Sequence, residues 1–315
     1  MAKPIPAEFG GDILRWTAWL YHACGQTQQE VAATLGVSRQ TVANYLSDAL
    51  SSGIVKISLD DAILSDIQLG RELADRFGLA AAHIVPSDEG ADALRMMIGR
   101  AGAGVLANLA GEGDTIGVAA GRTLSALGNA MQSKHRPDLT VVQISGSSID
   151  GLDTSPEACA ATIADRFGCR CVNLFAPAYL SDPELTQRFL KEPALAGQFE
   201  LISTADMLVF GIGELSPRTR FISAPFLDDA MRDRYLELGA VGLVFGRFFD
   251  RDGEEIDGPL RGRTVSIAMD IAKTIDVRLA VAGGEGKIEA ISAALRANTV
   301  THLVTDHATA RKLMV

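Results

Sequence analysis

The sequence predicts an α/β protein in which an N-terminal α-helical domain precedes a Rossmann-like domain on a mostly parallel sheet. Residues Gln28 to Val42 have the spacing of two short helices that cross at a tight turn. From His83 onward, apolar runs ending in glycine alternate with helical stretches, the pattern of parallel strands covered on both faces. A chain of 315 residues with 47% hydrophobic content also exceeds the usual size of one domain and holds enough apolar surface for two cores.

In the N-terminal segment, Thr27 and Glu30 form a capping box that starts a helix with the apolar face Val31, Ala32 and Leu35. Gly36 ends it by taking the left-handed conformation. Ser38 caps a second helix running to about Ser51, in which Val42, Tyr45, Leu46 and Ala49 recur at helical spacing and leave Arg39, Gln40, Asn44 and Ser47 outward. With small Ala32 at the crossing, this is a helix-turn-helix signature, and the second helix is the expected reader of DNA. Arg39 and Gln40 lie near its N-terminus, where base edges are met, and their side chains make paired contacts to guanine and adenine. Asn44 is a further candidate, and Thr27, Gln28, Ser38 and Thr41 at the two helix starts complete the DNA-binding set.

Residues 1–59 carry Lys3, Arg15, Arg39 and Lys56 against Glu8, Asp12, Glu30 and Asp48, so the segment is formally neutral. Phosphate neutralisation supplies most of the affinity in such complexes, so a single copy binds operator DNA weakly and a homo-oligomer is expected. The net charge of -10 argues against a nucleic-acid coat or a membrane-surface protein. No uncharged apolar run approaches the roughly 18 residues that span a bilayer. MAKPIPAEFGG places prolines and an acid where a signal peptide has its apolar core, so a cytoplasmic location is expected. Cys169 and Cys171, in a predicted strand, are expected to turn their sulfurs to opposite faces, and the five histidines show no metal spacing. No metal or cofactor is expected.

After Gly53, IVKISL reads as a short strand leaving the first domain, and residues 60–80 as a polar then amphipathic connecting segment, giving domains at 1–59 and 60–315. The strand candidates are AHIVPS, TIGVAAG, LTVVQISG, CVNLFAP, DMLVFGIGE, AVGLVFG, RLAVAGG and HLVTD. In such a fold the ligand binds beyond the carboxyl ends of the strands. This chain places Gly121, Arg122 and Thr123 after one strand, Ser145, Gly146, Ser147 and Ser148 after the next, Gly211, Gly213 and Glu214 after a third, and Gly283, Gly284, Glu285 and Lys287 after a fourth. Small residues let backbone amides approach, and hydroxyls, a carboxylate and an ammonium suit a polyhydroxylated ligand. GIGEL lacks the third glycine of a dinucleotide fingerprint, and GGEGK is too short for a P-loop.

The segment AWLYHACGQTQQEVAATLGVSRQTVANYLSDALSSGIVKI, with GVAAGRTL, VVQISGS, LFAPA, GIGE, LGAVGLVFGRFFDRDG, AVAGGEGKIEAISAAL and HLVTDHATARKLM, resembles the SorC family of sugar-binding transcriptional regulators in the order and spacing of its motifs. The resemblance implies a bacterial regulator of a carbohydrate or polyol operon, commonly tetrameric, whose operator binding is altered by a sugar, polyol or sugar phosphate. Its effector domain would be related in fold to sugar-phosphate isomerases and glucosamine-6-phosphate deaminase-like enzymes. Carried onto this chain, the effector residues are Gly121, Arg122, Thr123, Ser145, Gly146, Ser147, Gly213, Glu214, Gly283, Gly284 and Lys287, with Asp306 beside the last strand. Members that read a phosphorylated sugar can place a basic residue where Ser145 stands, and Arg122 offers a replacement charge, so neutral and phosphorylated effectors both stand. The alternative is a sugar-phosphate isomerase or deaminase-like enzyme with a DNA-binding head. It needs a general base, for which Glu214, Asp206 and Asp306 are available, but no catalytic pair has a defined spacing.

Overall fold

The computed structural model describes residues 4–56, 61–87, 90–147, 152–217, 219 and 227–315, and divides into compact units at 1–61 and 62–315. In the first unit α1 (Ile13–Ala18) runs into a π-helical turn (Trp19–Ala23), followed by α2 (Gln28–Leu35) and α3 (Arg39–Ser51). The capping box at Thr27 and Glu30 forms, Gly36 ends α2 at φ 68°, and Ser38 accepts from the Thr41 amide at 3.1 Å to start α3. Trp16 and Leu20 close the core over Val31, Ala32, Leu35, Val42 and Leu46. Thus α1 and the π-helical turn after it, which the spacing argument does not reach, supply the third wall. Residues 54–56 form no strand, and the rest of IVKISL lies among residues 57–60, outside the described set.

The second unit runs α4 (Asp61–Phe77), β1 (Ala81–Val85), α5 (Ala91–Leu109), β2 (Thr115–Val118), α6 (Arg122–Ala130), β3 (Thr140–Gln143), α7 (Pro156–Phe167) and β4 (Arg170–Val172). It continues with α8 (Pro183–Leu190), α9 (Pro193–Ser203), β5 (Met207–Phe210), β6 (Gly213–Glu214), α10 (Asp229–Glu237), β7 (Gly242–Val244) and β8 (Arg247–Phe249). The last elements are α11 (Met269–Thr274), β9 (Val277–Val281), α12 (Ile288–Arg296), β10 (His302–Asp306) and α13 (His307–Leu313). The main sheet has the order β1-β10-β9-β5-β2-β3-β4, with every neighbouring pair parallel. Along β5, Met207 and Val209 enter the core beneath α5, α6 and α7, while Leu208 and Phe210 enter the one beneath α4, α12 and α13. Burying each such side chain stabilises the sandwich by about 1.5–3 kcal/mol.

Three expectations are corrected here. The connecting segment is largely the helix α4, whose Leu69 and Leu73 are buried in a sheet-covering core. AVGLVFG is not part of the parallel sheet: β7 pairs antiparallel with both β6 and β8 in a separate three-stranded sheet. Phe245 and Gly246, at φ 53° and 76°, both take the left-handed conformation of a two-residue hairpin turn there. Finally, Cys169, which directly precedes β4, and Cys171 within it pack against the same core, because residues two apart in extended chain share a face.

Candidate nucleic-acid interface and effector site

The starts of α2 and α3 bring the predicted DNA-facing residues together. Arg39 and Gln40 are exposed, and Arg39 Nε donates to Gln28 Oε1 at 3.4 Å, joining the two helices. One turn on, Gln40 Nε2 donates to Asn44 Oδ1 at 3.3 Å. The Ser38 and Thr41 hydroxyls lie 2.8 Å apart. Thr27 and Ser38 are also the caps of their helices, so they position the surface as well as lying on it. The amide and hydroxyl of Thr27 hold the Glu30 carboxyl below its ordinary pKa.

The four predicted effector loops follow β9, β5, β2 and β3, which are consecutive neighbours in the sheet. The chain steps outward from β2 to β3 and β4, then from β5 the opposite way to β9 and β10, so its direction reverses between β2 and β5. Loops diverge at such a switch point and leave a crevice. Gly121 to Thr123 stand on one side of it, Gly213 and Glu214 on the other. Arg122, Thr123, Glu214 and Lys287 make no side-chain hydrogen bond or ion pair to the described residues. Glu214 lies against Gly286, where a Cβ would collide with its carboxylate. Burial pushes the Lys287 ammonium down to about 8 against the pull of Glu214, and Arg122 and Arg95 push it the same way. Gly146 packs its backbone against Pro177, and its amide donates to the Val265 carbonyl at 2.8 Å. Ser145 forms a bridge to Ser266.

Two predicted residues are placed differently. Asp306 is 2% exposed, and its oxygens accept from Thr309, Ser87 and the Gly284 amide. Burial raises its pKa, but those hydrogen bonds together outweigh it and hold the carboxyl low. It caps α13 and fastens the Gly283–Gly284 loop, with no free acceptor aimed at the crevice. The Ser147 hydroxyl is likewise engaged, donating to Glu157 and accepting from Gln143 Nε2 at 3.0 Å. Two residues that the sequence argument missed, Glu157 and Arg95, come close to the crevice. Ser155-Pro156-Glu157 reads as an ordinary helix start, and Arg95 reaches Lys287 only through the tertiary fold.

An open cleft of about 650 Å³ lies elsewhere, between α4, α12 and α13. Its cations are engaged: Arg76 with the Met314 carbonyl, Lys312 with Glu285, and Arg296 with Ser292 and the Arg251 carbonyl. Among the described residues no helix is long and apolar enough to cross a membrane.

Comparison with known proteins agrees with this architecture. The Sugar-bind family model, which describes a sugar-binding domain, matches residues 61–315. The transcriptional regulator YjhU of Escherichia coli strain K12 is 31% identical over 312 residues, covering 97% of this chain and 95% of that protein. The erythritol catabolism regulatory protein EryD of Brucella abortus is 29% identical, covering 94% of each. Among solved structures, the full-length sorbitol operon regulator SorC of Klebsiella pneumoniae superposes with a TM-score of 0.74 over 96% of this chain and 98% of that one, at 24% identity, a likeness of fold. Chain-long kinship to regulators, together with a sugar-binding domain matched from α4 to the last residue, places this chain in the SorC family of sugar-binding transcriptional regulators.

Proposed function

We propose that the chain is a cytoplasmic, oligomeric regulator of a carbohydrate or polyol operon, a tetramer rather than a dimer. Its second domain binds a sugar, polyol or sugar phosphate across the ends of β2, β3, β5 and β9, and binding alters how α3 of each head engages operator DNA. The single observation that carries this is the set of polar groups on adjacent strand ends, Arg122, Thr123, Glu214 and Lys287, whose side chains make no hydrogen bond or ion pair to the described residues. Polar groups left unpaired in a half-buried crevice are stabilised when a ligand bonds them. Relatives named for erythritol catabolism and for a sorbitol operon favour a polyol-sized effector.

The carboxylates support sensing over turnover. Asp206 stands at the start of β5, where it accepts from the Thr115 amide at 2.8 Å, the opposite end of the sheet from the crevice. Asp306 is a saturated cap. Of the three acids considered for a general base, only Glu214 stands at the switch point.

A thermal-shift screen of pentoses, hexoses, polyols and their phosphates tests the proposal, since a ligand at a hundred times its dissociation constant stabilises by about 2.7 kcal/mol. Thr123→Val keeps the shape of the side chain and deletes its hydroxyl, so effector binding should weaken by about 1–3 kcal/mol. Effector-free operator binding should survive. A variant that responds to its effector as the parent does would overturn the placement of the ligand across these strand ends.

A further inference from the structure

Glu157 has no part in the sites above, yet its placement is unusual. The first turn of α7 carries it to Ser147, whose hydroxyl donates to the carboxylate. The same segment is tied to the β2 loop: the Gly121 amide donates to the Thr154 carbonyl at 3.0 Å, and Cys159 Sγ lies 3.8 Å from the Gly121 carbonyl. Glu157 therefore lies between two of the loops that line the crevice, and it is half-exposed.

Its partner is held from behind. Gln143 is 1% exposed, donates to the Ser145 carbonyl at 2.7 Å and to Ser147 Oγ at 3.0 Å, and accepts from the Leu174 amide at 3.0 Å. With a donor from Gln143 on its oxygen, the Ser147 hydroxyl is aimed at Glu157. No other hydrogen bond reaches the Glu157 side chain among the described residues. The result is a carboxylate with one oxygen fixed and the other open, an acceptor suited to a hydroxyl and repellent to an anion. Across the switch point stand the two cations Arg122 and Lys287, which make no side-chain ion pair to the described residues, with Glu214 near Lys287 and Arg95 already paired with Asp92.

We propose that Glu157 is a specificity-determining residue of the effector site, accepting a hydrogen bond from a hydroxyl of a sugar or polyol and turning any phosphate or carboxylate of the ligand toward Arg122 and Lys287. The inference rests on the effector site proposed above. It assigns the hydroxyl end of the ligand to β3 and the anionic end to β9.

The experiment titrates full-length protein calorimetrically with the tightest binder from a panel of four- to six-carbon sugars, polyols and their monophosphates, and with monodeoxy analogues of that binder. Parent, Glu157→Ala, Glu157→Gln and Thr123→Val are compared. Removing one particular ligand hydroxyl should weaken the parent about tenfold or more, and should weaken Glu157→Ala about twofold at most. The other deoxy positions should affect both proteins alike. Glu157→Gln keeps the size and one acceptor oxygen, so it should retain part of the discrimination. A merely structural role for Glu157 lowers affinity for every analogue by the same factor and leaves the discrimination intact, which overturns the proposal. If that happens while Thr123→Val still loses affinity, the effector site stands and only the role of Glu157 falls. If Thr123→Val binds as the parent does, or no member of the panel binds, the effector site itself is overturned.

Discussion

The proposed reading surface on α3 and the proposed effector crevice at the strand ends are built in opposite ways. On α3 the polar groups are exposed, stand within one or two turns of the cap that positions them, and already pair with neighbours, Arg39 with Gln28 and Gln40 with Asn44. In the crevice, Arg122, Thr123, Glu214 and Lys287 arrive from loops far apart in sequence, and only the order of the strands makes them neighbours. The head obtains its shape locally and lacks net charge. The crevice has charge and polarity but depends on the whole sheet for its shape. Surface pairs such as Arg39 with Gln28 stabilise the head little, so exchanging them for the base edges of the proposed operator contact costs little.

The largest effect should come from separating the two regions. Residues 1–61 alone should bind an operator at least about 100-fold more weakly than the full chain, because linkage of several heads on one site multiplies affinity without new contacts. Equal affinity of fragment and intact protein would mean that the neutral head needs no such linkage.

The charge of the crevice can be tested next. Lys287→Met should weaken a phosphorylated effector by about 1.5–3 kcal/mol and its neutral sugar much less, because hydrogen bonds to charged groups are the stronger ones. In the parent, the Lys287 ammonium titrates near 8 when folded, below the ordinary lysine value of 10.5. Between those values the folded protein binds fewer protons than the unfolded chain, so this group adds stability as pH rises through the window. Affinity for an anionic effector should fall over the same rise, because the ammonium is lost. Calorimetric titrations between about pH 7 and 9 read the affinity slope, and chemical denaturation between about pH 8 and 10 reads the stability slope. An affinity that stays flat would take the ammonium away from the phosphate.

On the head, Arg39→Ala or Gln40→Ala should cost about 1–3 kcal/mol with relaxed preference at one operator position. A loss spread evenly over all sequences would make the residue a phosphate contact, and no loss for either would take α3 out of the groove. The smallest change is Ser38→Ala, which removes the α3 cap and should lower the stability of the head by about 1 kcal/mol in chemical denaturation. An unchanged midpoint would show that the cap contributes nothing.

How far the sequence could be read follows from the range over which each element is decided. Thr27, Glu30, Gly36 and Ser38 act within a few residues of themselves, so both helices and their turn were legible. Strands ending in glycine were legible for the same reason, and with them the four loops. The hairpin at Val244–Arg247 was hidden because its left-handed turn uses Phe245 where asparagine or aspartate gives the usual signal. Phe245 is 5% exposed and packs on Phe210 at 4.8 Å between ring centroids, so tertiary contact offsets the backbone strain that local preference would avoid.

By itself the sequence determined the helix-turn-helix, the parallel α/β architecture, the four small-residue loops and the family, since these rest on caps, periodicity and motif order. Tertiary structure alone decided that Asp306 is a buried cap, that Asp206 faces away from the crevice, that α4 covers the sheet, and that Glu157 meets Ser147. The physical reason is common to all four: whether a carboxylate is spent or open, and whether a helix is a linker or a wall, depends on groups that only the crossing of distant strands brings within hydrogen-bonding or packing distance.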